Sequence, residues 1–288
     1  MTSIPVPDEV EIEKDVVTEA SARAMHGLLD APGGPPAEGD PLPPLWHWMA
    51  FLPRLAHSEM GKDGHPRHMG PFHSEEFPRR MFAGARLSFL GVARVGQTLT
   101  RQTWLKSVER KSGRSGESLF ATVAIEVTGD SAPLILEEQE IVFRPAAKVP
   151  ASAAPVATPN DEAWPWRLTL PTDPVTLFRY SALTYNAHRI HYDRDYATHE
   201  EGYPGLVVQG PLQAIGLAEV ARRHAPDRQA GTYSFRATRP AFDGPALGLC
   251  GRPDDHGVTL AVLDSSSSVT VSARITWKRE PNKEGSRQ

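Results

Sequence analysis

Polar and apolar residues alternate along three long stretches in the first half of the chain. QTLTRQTWLKSVERK, SLFATVAIEVTG and LILEEQEIVFRP each repeat with a period of two, as half-buried strands do. Two turn-forming segments separate them, GRSG from Gly113 to Gly116 and DSAP from Asp130 to Pro133. The spacing predicts an antiparallel meander from Thr98 onward. Before it, residues 8 to 30 read as a helix that stops at the breaker run Ala31-Pro32-Gly33-Gly34-Pro35-Pro36. Residues 41 to 81 follow neither period; they are rich in proline and aromatic residues and include PLPPLWHWMAFLPR.

The second half repeats this outline. A helical stretch near residues 174 to 184 leads into a His-rich segment. GLVVQGPLQAIGLAEVARRHA, from Gly205 to Ala225, gives a short apolar run and then an apolar helix; Pro211 is tolerated at its first turn. Three or four β-runs close the chain, drawn from TYSFRATRPAF, PALGLCGRP, GVTLAVLDS and SVTVSARITWK. Helices followed by an antiparallel meander, twice over, predict an α+β architecture. Between the halves, VPASAAPVATPNDEA from Val149 to Ala163 is rich in Ala, Pro and Ser and has no apolar face. It reads as a linker over 149–163 that divides an N-terminal domain, 1–148, from a C-terminal one, 164–288.

Bulk properties narrow the function. The 288 residues suit two domains, each large enough to bury its own core. A formal net charge of −4, with no block of like charge, argues against nucleic acid or an anionic membrane as the main partner. The single cysteine, Cys250, excludes an internal disulfide framework and suits a reducing cytoplasm. MTSIPVPDEVEIEKD is acidic and lacks an apolar core, which reads against a signal peptide. No run approaches the roughly 18 apolar residues of a membrane span. A cytoplasmic protein is expected.

The densest chemistry lies in residues 178 to 197, FRYSALTYNAHRIHYDRDYA. An amide, Asn186, and two imidazoles, His188 and His191, fall within six residues between the end of one helix and the start of another. Element ends offer unpaired backbone groups beside such side chains. The plainer alternative is that these residues only cap and connect two helices. A metal site built on His188 and His191 lacks a carboxylate or thiol to complete it, so no metal is expected.

The segment resembles the signature of the MaoC-like hydratases, which runs Leu, Ser or Thr, Gly, Asp, any, Asn, Pro, aliphatic, His. Leu183, Thr184, Ile190 and His191 match; Tyr185 stands for the Gly, His188 for the Asn, and Asn186 for the catalytic Asp. With these departures TYNAHRIHYD is similar to the type-2 hydroxyacyl-thioester dehydratases and to the mesaconyl-CoA and 3-methylfumaryl-CoA hydratases. PLPPLWHWMAF, FPRRMFAGARLSF, KSGRSG, VVQGPL and FRATRPAFDG extend the resemblance from about Pro41 to Trp277. It implies a double hotdog, two units that each wrap an antiparallel sheet around a long central helix. It also implies a hydro-lyase acting on a CoA or acyl-carrier thioester, with no cofactor. Single-hotdog relatives are dimers, and a double hotdog already contains that pairing internally, so a homodimer of the whole chain is left open.

Such a reaction needs a base for water, a donor for the thioester oxygen and an acid for Cα. The resemblance makes His191 the base and acid, an imidazole being near half-titrated around neutral pH. Asn186 cannot take a proton but can orient water, and His188 either assists or holds the loop. The implied oxyanion donor is the N–H at Gly210, where a helix begins. Arg79, Arg80, Arg179 and Arg189 are candidates for a substrate carboxylate, which a guanidinium binds through two hydrogen bonds. Tyr185 and Gln209 are further substrate-binding candidates, and Arg236 and Arg239 could meet CoA phosphates. Trp46, Trp48, Phe51 and Phe82 read first as core of the first half and otherwise as an acyl-tunnel lining. The first half has no N-x-H-x-x-H of its own, which suits one catalytic and one accommodating half. Two other classes compete: a hotdog thioesterase, which would need a carboxylate where Asn186 stands, and a non-catalytic acyl-thioester-binding protein.

Overall fold

The computed structural model describes residues 2–145, apart from Pro5, Pro7, Met69, Arg114, Ser115 and Ser131, and residues 164–279. The expected linker over 149–163 lies outside them. The alternating runs of the first half form β4 (Thr98–Gly113), β5 (Gly116–Gly129) and β6 (Ala132–Arg144). Those of the second half form β8 (Ala230–Ala237), β9 (Leu247–Asp254), β10 (Gly257–Leu263) and β11 (Val269–Trp277).

Further strands complete the sheet: β1 (Thr2–Ile4), β2 (Val10–Val16), β3 (Arg79–Phe89) and β7 (Trp166–Leu170). The helix expected over 8–30 is corrected by the structure. VEIEKDV alternates and pairs antiparallel with the start of β4, from Val10 opposite Trp104 to Val16 opposite Thr98. The helix α1 begins only at Glu19 and ends at Leu28, its first turn capped by Thr18 Oγ1, which accepts from the Ser21 N–H at 3.1 Å.

All eleven strands join one antiparallel sheet in the order β1-β4-β5-β6-β3-β8-β11-β10-β9-β7, with β2 also on β4. The order is symmetric about its middle. Outward from the β3–β8 pair, each half contributes the first, fourth, third and second strand of its meander. β3 and β8 pair from Gly84 opposite Arg236 to Ser88 opposite Thr232. One continuous apolar cluster runs through both halves, from Leu87 and Val108 to Tyr233 and Ile275.

Two helices belong to the second half. α2 (Pro174–Leu183) starts at Asp173, whose carboxylate accepts from the Val175 and Thr176 N–H groups. α3 (Gly210–His224) is apolar on most of its circumference and packs against β7, β9, β10 and β11. The first half has no helix of that length among the described residues. The ten-residue α1 and a 3₁₀ turn, Trp46–Met49, stand in its place. The turn is pinned by the buried Glu137, which accepts from Trp48 Nε1 at 3.1 Å and lies 3.1 Å from His47 Nε2. Trp46 is buried, and Trp48 meets Phe82 and Phe235 edge-on, so these aromatics serve the core. Among the described residues no helix is long and apolar enough to cross a membrane.

The seam leaves no room at one point. A Cβ added to Gly84 would fall 2.3 Å from the Phe235 carbonyl oxygen, beside a bulge in β3 between Phe82 and Gly84. Gly84→Ala is therefore expected to push β3 from β8 and destabilise the fold by about 1–3 kcal/mol, as overpacking does. Urea unfolding checks this: the midpoint should fall while the slope stays as in the wild type.

Candidate active site

The His-rich segment is held by its own backbone. After α2 the chain turns at Tyr185, whose φ of 51° lies in the left-handed region. This is the position where the hydratase signature has Gly, the residue that adopts such backbone without strain. The Tyr185 side chain points to solvent. Asn186 Oδ1 accepts from the His188 N–H at 3.1 Å, closing an Asx turn and leaving the amide NH₂ for other partners. Residues 189–191 make one 3₁₀ turn that buries Ile190 and His191.

His191 is fixed in one tautomer. Its Nδ1 lies 2.7 Å from the Val207 carbonyl oxygen, which can only accept, so Nδ1 carries the proton and Nε2 offers a lone pair. Burial pushes the His191 pKa down to about 4, the His65 charge adds to that, and the bond to Val207 opposes it. The imidazole is thus neutral at pH 7. This corrects the expectation of a half-titrated ring: the desolvated site disfavours the cation. His188 is held far below the usual histidine range by burial first, then by the charges of His65, His191 and Arg80.

Val207 also ties this turn to the start of α3. Its N–H donates to the Ile190 carbonyl at 2.9 Å, and Val208 N–H donates to Ala241 at 2.9 Å. Gln209 is fully buried, and its Nε2 donates to the Leu177 carbonyl and Ser181 Oγ, both at 3.0 Å. It fastens α3 to α2. Gly210 opens α3, and a Cβ built there would meet nothing within 4 Å. Free space therefore faces the helix end, where N–H groups have no intrahelical acceptor.

The four motif arginines separate. Arg189 donates to Asp193 from Nε at 3.0 Å and Nη2 at 2.8 Å, and from Nη1 to the Lys62 carbonyl at 3.2 Å; it also stacks over Tyr196. Arg79 lies 3.5 Å from Glu201. Arg179 is exposed on α2 beside Gly27. Arg80 is half-buried, and burial alone pushes its pKa down to about 10. Among the described residues no carboxylate or hydrogen-bond acceptor engages it. Of the two arginines considered for phosphates, Arg239 pairs with Asp264 at 3.0 Å, and Arg236 lines a surface hollow of about 240 Å³ with Lys111 and Glu140.

A segment of the first half completes the cluster. Residues 61 to 66, GKDGHP, lie against the motif through the Arg189 N–H, which donates to the Asp63 carbonyl at 2.8 Å. Gly64 has φ 85°, and a Cβ there would fall 1.8 Å from the Ala187 oxygen. His65 Nδ1 is 3.3 Å from Asp63 Oδ2, and its ring stacks on His188 with centroids 3.8 Å apart and planes at 30°. His188 in turn meets His191 edge-on at 5.3 Å. Burial raises the Asp63 pKa, but the hydrogen bonds and charge of His65 outweigh it, and the net shift is downward. Asp63 and His65 lie in a loop without periodicity, and the only signal their sequence carries is an acid and an imidazole flanking a glycine. Asp63, His65 and His188 bring ligand atoms within 4.8 Å of one another. Rings stacked this closely to parallel send their in-plane lone pairs side by side rather than to one point, a poor geometry for a shared metal.

Comparison with known proteins agrees with the signature. The family model of hydroxyacyl-thioester dehydratase type 2 matches residues 45–243. Mesaconyl-C(4)-CoA hydratase of Chloroflexus aurantiacus is 45% identical over 266 residues, 92% of this chain and 94% of that protein. The mitochondrial hydroxyacyl-thioester dehydratase type 2 of Schizosaccharomyces pombe is 42% identical over 79 residues, 27% of this chain and 26% of that protein. In fold, the chain is similar to a MaoC-like dehydratase from Phytophthora capsici, with a TM-score of 0.67 at 12% identity over 96% of this chain and 97% of the other. It is also similar to HtdX of Mycobacterium tuberculosis, at 0.63 and 15% over 94% and 100%. The family match spans most of the chain, and with it the whole histidine cluster: this protein belongs to the type-2 hydroxyacyl-thioester dehydratase family.

Proposed function

We propose that the chain is a hydro-lyase that adds water to, or removes it from, an acyl-CoA thioester whose acyl group ends in a free carboxylate, as in mesaconyl-C(4)-CoA. The observation that carries this reading is one pairing. A neutral, tautomer-fixed His191 meets His188 edge-on, and His188 in turn feels the charge of Arg80, a guanidinium with no partner among the described residues. An uncompensated half-buried guanidinium is costly unless an anion joins it. A thioester with a distal carboxylate supplies that anion.

In this mechanism His191 Nε2 takes a proton from water while the Asn186 amide orients it. The thioester oxygen, which gains charge as the enolate forms, accepts from the N–H at Gly210. The α3 dipole and the absence of competing intrahelical acceptors favour charge there. Arg80 holds the far carboxylate. Arg189, Gln209 and Tyr185 act on the frame instead: the first two through bonds to Asp193, Lys62, Leu177 and Ser181, the third through its left-handed backbone.

The two meanders are read as two hotdog units, the first (1–148) accommodating substrate and the second (164–288) bearing the signature. The symmetric strand order and the packing of α3 on the second meander support this division. A cytoplasmic homodimer belongs to the same proposal.

Substrate charge is the first test. Mesaconyl-C(4)-CoA should be hydrated about tenfold to a hundredfold better than crotonyl-CoA in kcat/KM, equivalent to the roughly 1.5–3 kcal/mol of a charge-assisted hydrogen bond. Arg80→Gln should erase most of that preference. A preference for long, uncharged enoyl chains would instead mark a general fatty-acyl dehydratase.

Removing the base comes next. His191→Ala should cost at least about 100-fold in kcat with the fold intact by circular dichroism. The pH profile adds an independent reading. Because His191 stays neutral until the pH falls to about 4, kcat/KM should show no acid limb near 6.5: it should not fall as the pH is lowered from 8 to roughly 5.5. Rates followed by loss of enoyl absorbance across that range check it.

A further inference from the structure

Hydration takes a proton from water and delivers one to Cα, and the signature segment offers a single free imidazole nitrogen, His191 Nε2, for both transfers. His191 has its Nδ1–H committed to Val207, so in the neutral state Nε2 can receive a proton but has none to give. The Asn186 amide neither gives nor takes one at neutral pH. His188 lies between two other imidazoles, a setting that opposes a third positive charge. Arg80 does not release a proton in this range. Unless His191 hands the water proton on to Cα itself, the motif holds no separate donor for that carbon.

We propose that His65, aimed by Asp63, is that second proton-transfer group, so that the half without a signature completes the reaction centre. The assignment rests on the hydro-lyase reading above. Asp63 Oδ2 faces His65 Nδ1 at 3.3 Å and Oδ1 accepts the His65 backbone N–H at 3.0 Å, an orientation that leaves Nε2 as the exchanging atom. A carboxylate backing an imidazole both fixes its tautomer and balances the imidazolium when it forms. The stack on His188 sets the ring at the edge of the cluster that ends in His191.

The loop carrying this pair is built to stay against the motif. Gly64 approaches Ala187 so closely that no side chain fits, Asp63 accepts the Arg189 N–H through its carbonyl, and Lys62 accepts from the Arg189 guanidinium. Asp63 is a positioning residue; His65 transfers the proton.

The steps balance without an oxidant or a metal. In hydration, a water O–H bond breaks and its proton goes to Nε2 of His191 as the oxygen bonds to Cβ. The Cα=Cβ pair moves toward the thioester, forming an enolate held at Gly210. The enolate then draws the proton from Nε2 of protonated His65 to Cα and restores the carbonyl. His191 returns its proton to solvent, and His65 takes one back. Dehydration runs the same steps in reverse, with His65 removing the Cα proton.

The test uses the full chain and mesaconyl-C(4)-CoA, with wild type, His65→Gln, Asp63→Asn and His65→Gly compared for kcat, KM and thermal midpoint. His65→Gln should lower kcat at least about 100-fold with KM within about threefold and the thermal midpoint unmoved. Asp63→Asn should lower kcat by about tenfold in the same pattern, and added imidazole should raise the His65→Gly rate about tenfold or more. Rescue by a free imidazole is an effect that a loop-holding role would not give. The proposal is overturned if His65→Gln keeps more than about a third of wild-type kcat, or if His65→Gly gains nothing from imidazole. In both cases an active wild type leaves the hydro-lyase reading standing. A wild type that hydrates none of the enoyl-CoAs overturns both.

Discussion

Main-chain pairing between β3 and β8 is the contact on which the other arrangements depend. It turns two meanders into a single sheet and gives them one continuous apolar cluster rather than two. It also sets the position of what leads into those strands. The GKDGHP loop precedes β3, while the His-rich turn and α3 precede β8, so joining the strands side by side brings both approaches together. Gly84 lets the backbones come close enough for this, and the Arg189 N–H to Asp63 carbonyl bond fastens the approaches to each other.

Electrostatics in the cluster follow from that convergence. Three imidazoles and a guanidinium share a partly dry region with one carboxylate. Desolvation and mutual repulsion discharge the two deepest rings, His188 and His191, and leave Asp63 as the local counter-charge. The loss of a carboxylate at Asn186, which would leave a His-only signature, is thus accompanied by an acidic side chain arriving from a different part of the chain. An amide at 186 also suits the turn: its oxygen closes a hydrogen bond to His188 without adding a charge beside the neutral His191.

Much of this was legible in the sequence, and the illegible parts share a cause. Period-two runs gave β4, β5, β6 and the four strands β8 to β11, and the apolar helix with its Gly-Pro start gave α3. The motif located Asn186, His188 and His191. What periodicity misses is a segment whose structure is decided by a distant partner. VEIEKDV alternates, yet sits beside a helix former and was absorbed into it; only β4 makes it a strand. FPRRMFAGARLSF carries the resemblance without revealing itself as β3, because the bulge between Phe82 and Gly84 breaks its alternation. Asp63 and His65 lie in a loop with no period at all, and their role depends on a contact made far along the chain. Arg189 and Gln209 matched the motif but are occupied with the scaffold, a distinction that residue type alone does not carry.

The distance between the two approaches also bears on how the molecule comes into being. The Arg189 guanidinium and its Lys62 acceptor are 127 residues apart in sequence. Loop closure over such a span comes late, after local turns, hairpins and α3 have formed, because its entropic cost is met only once the sheet is nearly whole. A chain still being synthesised holds the Asp63–His65 pair at one end and has yet to produce His191. A partly folded chain holds both, but apart. The assembled histidine cluster therefore arrives as one of the last events of folding, and it marks a chain in which the two halves have found each other.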